Sequence, residues 1–151
     1  MKKLVCKGIV IHNSTDTFGR FIESKGVRLD RYAKNGVILL DHGKNNKTQR
    51  TPIGVATSLT KQKDGVTFVT FEVLENMTPA QEYTGIKTGV IKGISAGVAR
   101  DSVKQVSVVS KGITDYIATS QLLEITVCSI PRNMNCLITE VTEEEVADVT
   151  N

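Results

Sequence analysis

Short runs of β-branched residues, cut by glycine and asparagine, constrain this chain more than any other feature. In Thr67-Phe68-Val69-Thr70-Phe71-Glu72-Val73, Phe and Val alternate with polar residues, the period of a half-buried strand. Pro52–Thr60 and Val66–Leu74 flank Lys63-Asp64-Gly65, which predicts a hairpin. Further strands are expected over Leu4–His12, Gly36–His42, Val90–Ala99, Val103–Ser110, Tyr116–Thr119 and Leu122–Ile130, the last stopped at Pro131-Arg132-Asn133. Asn13-Ser14-Thr15-Asp16 is a turn cluster, Gly43–Thr51 a polar loop, and Val27–Ala33 reads as a short helical turn. One helix is well marked. Thr78 is placed to cap it, Pro79 suits its first position, Gln81 completes a capping box, and Gly85 or Gly89 ends it. The expected class is mainly β with one or two helices (α+β). Closure into a barrel would remove the exposed edges of so many short strands.

The 151 residues suit one domain, with no internal repeat or linker. Lys and Arg number 19 against 16 acids, but Glu140, Glu143, Glu144, Glu145 and Asp148 crowd the end, where no basic residue stands. Residues 1–139 therefore hold 19 basic and 11 acidic groups, a charge of +8. The expectation is one domain over 1–139 and an acidic C-terminal tail, solvated or weakly helical, over 140–151. At 40% hydrophobic and 23% charged residues, the body is not a disordered chain. No run approaches the ~20 apolar residues of a membrane helix, and the charged start lacks the apolar core of a signal peptide. Three cysteines without a CxxC pair fit a reducing compartment and show no metal-ligand spacing with the two histidines. Scattered basic residues and the lack of aromatic platforms argue against nucleic-acid binding.

Three residues carry the chemical interest. Ser95 lies in Gly93-Ile94-Ser95-Ala96-Gly97, a literal G-x-S-x-G match. The nucleophile elbow needs a helix after the serine and a later histidine; here the following segment is strand-like and both histidines precede it. The small neighbours leave the serine uncovered for a substrate backbone, or else mark a close-packed strand crossing. His42 ends an apolar strand beside a loop, where sites tend to be built, although a solvated strand-end histidine has the same signature. His12 has no sequence partner, and Asp41, adjacent to His42, should point to the opposite face. Glu124 shares a strand face with Leu122, Thr126 and Cys128 by alternation. It reads either as an acid that orients a histidine or as a surface group paired with Lys or Arg. Cys128 with His42 is a weaker nucleophile pair, since buried strand thiols are inert.

The order Val37-Ile38-Leu39-Leu40-Asp41-His42, then Pro52-Ile53-Gly54-Val55, then Gly93-Ile94-Ser95-Ala96-Gly97-Val98, then Leu123-Glu124-Ile125-Thr126-Val127-Cys128-Ser129-Ile130-Pro131-Arg132-Asn133 resembles the prohead (capsid maturation) serine proteases of tailed bacteriophages. These are related in fold to the herpesvirus assemblins, and the resemblance covers about residues 5–138. It implies a herpesvirus-protease-like β-barrel with flanking helices, Ser95 as nucleophile, His42 as general base and Glu124 as third triad member. It also implies an oxyanion and substrate-binding role for Arg132 and Asn133, the former through its backbone N–H. Two departures stand out: Pro131-Arg132-Asn133 where the family usually has Pro-Ala-Asn, and Ala96-Gly97-Val98 where it tends to have Gly and an aromatic. The implied activity is an endopeptidase that needs no cofactor or metal. It would cleave the scaffolding part of the major capsid protein, and itself, inside the procapsid in the host cytoplasm. The implied partners are proteins rather than nucleic acid or membrane, and a homo-oligomer is left open. The alternatives are a catalytically inactive capsid- or scaffold-binding module with the same barrel, and a β-barrel unrelated to phage.

Overall fold

The structure, a computed structural model, describes residues 1–41, 50–101, 104–108 and 113–147, with side chains described for all but 104–108, 113 and 114. His42 and most of the expected polar loop lie outside the described residues. The described chain is mainly β with two α-helices. In order, its elements are β1 (Lys2–His12), β2 (Arg20–Ile22), β3 (Val27–Arg28), α1 (Asp30–Lys34), β4 (Val37–Asp41), β5 (Arg50–Lys61), β6 (Val66–Leu74), α2 (Ala80–Thr88), β7 (Gly93–Arg100), β8 (Lys104–Val108), β9 (Ile113–Ile117), β10 (Ser120–Cys128) and β11 (Ile138–Glu145).

The large sheet runs β11-β1-β6-β5-β4-β10-β3, with β7 on the free side of β10; β2, β9 and β8 form a second, small sheet. The β5–β6 hairpin turns where expected, with Gly65 at φ +86°, a conformation L side chains rarely adopt. Alternate residues Val69, Phe71 and Val73 are fully buried, as the period-2 pattern demands. They join Leu4, Ile38, Ile53, Ile94, Ile125 and Val127 in one core cluster. Removing that much apolar surface from water is the dominant drive for folding.

Several expectations need correction. The helix α2 begins at Ala80 after an N-cap Pro79 with no side-chain cap bond, so the capping box does not form. The Thr78 hydroxyl instead donates to the Leu74 carbonyl at 2.7 Å, an alternative its short side chain always offers. Gly89, at φ +82°, ends the helix, and Gly85 lies inside it. The turn expected over 27–33 splits into β3 and α1.

The acidic end is the larger correction. Residues 138–145 are neither tail nor helix but a strand, antiparallel to β1, in register Lys2↔Glu145, Lys3↔Glu144 and Lys7↔Glu140. Glu143 accepts from Lys87 Nζ at 3.0 Å and from the Tyr83 hydroxyl at 3.1 Å, which docks α2 on β11. Glutamate is a poor strand former. A lysine-rich partner strand reverses that, because opposite charges face each other across the ladder.

Strand pairing alone does not close the sheet into a barrel: β11 is one end, and β7 pairs only with β10. Main-chain bonds from residues 136–138 link the two sides, Ile9 N to Leu137 O at 3.0 Å and Ile94 N to Cys136 O at 2.9 Å.

Candidate active site

Ser95 lies inside β7 rather than at a strand-to-helix elbow. Its Cα partner on β10 is Thr126, which in turn pairs with Leu39 on β4. Partners on adjacent strands share a face. Ser95 and Thr126 therefore look away from the core that Ile125 and Val127 enter. The same row carries Gly97 opposite Glu124 and Gly93 opposite Cys128. A β-bulge between Leu122 and Glu124 interrupts strict alternation. Leu122 consequently joins the core while Leu123 is exposed, so Glu124 and Leu122 do not share the face that alternation predicts.

A cavity of about 360 Å³ opens on this face. Ser95, Glu124, Arg132 and Asn133, four of the five expected site residues, all line it, together with His12, Asp41 and Arg50. The fifth, His42, follows Asp41 and lies outside the described residues.

The glycines beside Ser95 prove to be needed by the chain's own atoms. A Cβ on Gly97 would meet Glu124 Cγ at 2.5 Å, and one on Gly93 would meet the Cys128 carbonyl oxygen at 2.6 Å and Pro131 Cδ at 2.8 Å. Close packing thus explains both positions. It also lays Glu124 across β7 next to the serine.

Glu124 itself is ion-paired with Arg50, and both side chains are partly exposed. Arg50 begins β5 and is the Cα partner of Asp41. Asn133 is turned to internal use. Its carboxamide bonds to Ser14 Oγ (Oδ1 at 3.2 Å, Nδ2 at 3.1 Å), and its Nδ2 also approaches the His12 and Ser14 carbonyls at 3.4 Å. Ser14 Oγ in turn lies 2.8 Å from His12 Nδ1. The Arg132 guanidinium stacks over Phe18 at 4.9 Å, and its carbonyl accepts from Thr17 N–H at 2.9 Å. The 131–135 loop is therefore pinned to the turn that follows β1, forming one wall of the cavity.

Burial pushes the Cys128 thiol up to about 11, with the Asp41 carboxylate as a second cause, and the Cys136 thiol up to about 12. Neither forms a thiolate readily at neutral pH, which argues against either as the nucleophile.

Sequence reading passed over His12, Arg50 and Thr126. Arg50 lies far in sequence from Glu124, and only strand register brings the two together, whereas His12 meets Ser14 two residues on, within the turn cluster. Thr126 stood on the face already assigned to Glu124, which was the available signal. No family model, curated protein or solved structure matches the chain.

Proposed function

We propose that this chain is a serine endopeptidase of the prohead protease type. Its substrates would be the scaffolding part of a phage major capsid protein and the chain itself, cleaved inside the procapsid in the host cytoplasm. The observation that carries the reading is that Ser95, Glu124, Arg132 and Asn133, brought from three separate segments, line one cavity. In the finer fold assignment, the sheet is a herpesvirus-protease-like barrel completed by residues 136–138, supported by the bonds from Ile9 and Ile94 to that segment.

The chemistry follows from the residue types. A serine hydroxyl is a weak nucleophile until a base removes its proton, and His42 is the base this reading assigns. Ser95 Oγ attacks the scissile carbonyl carbon while the π pair moves onto oxygen. The serine proton passes to the imidazole and then to the departing amine. Glu124 steadies the imidazolium, for which it must share or leave Arg50. Beyond Ile94, β7 offers an edge unpaired among the described residues, on which the N–H and C=O groups of an extended peptide can bond.

The second reading, an inactive capsid- or scaffold-binding module, draws on the Glu124–Arg50 pair and on the internal use of the Asn133 amide. Incubation with the cognate capsid precursor, wild type beside Ser95→Ala, separates the two by intact mass. The protease reading expects defined fragments from the wild type alone. An intact precursor in both arms, or processing by the variant, refutes it.

A further inference from the structure

Thr126 is 3% exposed, and among the described residues its Oγ1 has no hydrogen-bond partner. Buried hydroxyls are nearly always partnered, so each exception calls for a physical reason. The surroundings of Thr126 show why the strand supplies none. Across β4 stands Leu39, which is apolar. Two residues before it on the same face, Glu124 is held by Arg50; two residues after it, Cys128 is a thiol kept protonated by burial. What remains is the cavity, which Thr126 lines beside Ser95, its direct cross-strand partner, with Oγ1 itself closed off from it in this rotamer. Opposite residues on antiparallel strands hold their Cβ atoms about 4.5–5.5 Å apart. One χ1 step carries a threonine hydroxyl round its Cβ, so Oγ1 can reach an oxygen atom bonded to the carbon that Ser95 attacks.

We infer that the Thr126 hydroxyl donates a hydrogen bond to the oxygen that gains charge when Ser95 attacks its substrate. This rests on the reading of Ser95 as a nucleophile and adds a donor that the sequence motifs do not mark. In the resting protein the donor is desolvated and, among the described residues, unpaired. In the transition state it meets a negative oxygen. An interaction made only at that stage lowers the barrier without tightening ground-state binding.

The test uses the full chain and a fluorophosphonate probe, whose phosphoryl oxygen occupies the place of the developing oxyanion. Phosphonylation forms the bond from Ser95 Oγ to phosphorus and expels fluoride, and the serine proton passes to the general base. Labelling rates are read by intact mass for wild type, Thr126→Val, Thr126→Ser and Ser95→Ala, with thermal unfolding as the check on folding. The expected result is labelling of the wild type and not of Ser95→Ala, a rate about 100-fold lower for Thr126→Val, and recovery to within about threefold for Thr126→Ser, which keeps the donor. Thr126→Val should stay folded. Equal rates for wild type and Thr126→Val overturn the inference. So does a Thr126→Ser rate as low as that of Thr126→Val, since the missing methyl would then be responsible. Unfolding of Thr126→Val overturns it as well, because the hydroxyl would then hold a structural bond. An unlabelled wild type refutes Ser95 as the nucleophile, and the inference falls with it.

Discussion

Replacing Thr126 by valine should make the protein more stable, which is unusual for a buried position. The exchange swaps a hydroxyl for a methyl of the same shape. Thr126 is 3% exposed and its Oγ1 is unpartnered among the described residues, so the wild type bears the desolvation cost of a polar group without a bond in return. That cost is roughly 1–3 kcal/mol, and burying a methyl adds up to about 0.8 kcal/mol. A net gain of ~1–2 kcal/mol allows for imperfect fit. In a chain of this size it corresponds to roughly 3–6 °C in Tm. Ser120, fully buried with a hydroxyl equally unpartnered among the described residues, supplies the comparison. Ser120→Ala gains less, about 1 kcal/mol, because no methyl replaces the oxygen. The two positions are six residues apart on β10, about 20 Å, so the double variant should add to within ~0.5 kcal/mol. Urea unfolding at neutral pH reads all three, with midpoints rising and the m-value unchanged. A lower midpoint for Thr126→Val would refute the reasoning, since it would mean that the hydroxyl is satisfied in solution.

Three other outcomes are expected. Truncation after Thr139 should destabilise the whole fold, because it removes six residues paired with β1, from Glu140 through Glu145. Retention of the full-length urea midpoint would contradict that pairing. Stability should fall with acid through Glu143, whose carboxyl is held below the usual range first by the Lys87 ammonium, and then by the Tyr83 hydroxyl against the opposing effect of burial. A depressed folded pKa means that the unfolded state takes up the proton first, so the contribution is present above about pH 5 and lost below it. Glu143→Gln should flatten that part of the midpoint-against-pH curve, and an unchanged slope would count against the assignment. All three thiols, Cys6, Cys128 and Cys136, are buried with pKa values raised to about 12, 11 and 12. Ellman's reagent at pH 8 should therefore titrate none of them quickly in the native protein and all three in guanidinium; rapid native labelling of Cys128 would reopen it as a nucleophile.

Local pattern was enough for most of the strands and for the hairpin, because alternation and turn chemistry act between near neighbours, but it missed β2, β3 and β11. Val69, Phe71 and Val73 sit inside as their spacing requires, and Gly65 turns the chain where an L side chain would be strained. The helix was legible in place but not in its cap, since the Thr78 hydroxyl found the Leu74 carbonyl instead of the helix N-terminus. The acidic run misled because charge along a sequence does not reveal what lies beside it. Glu140, Glu144 and Glu145 became a strand once Lys7, Lys3 and Lys2 stood opposite.

The sequence by itself determined a mainly β chain and singled out Ser95, Glu124, Arg132 and Asn133, together with His42, which lies outside the described residues. Tertiary structure alone decided that Ser95, Glu124, Arg132 and Asn133 line one cavity, that Glu124 meets Arg50, that Asn133 holds the His12–Ser14 turn, and that Thr126 is left without a partner among the described residues. The physical reason is register. Backbone pairing between distant strands sets which side chains become neighbours, and a single bulge, here between Leu122 and Glu124, changes the face a residue occupies.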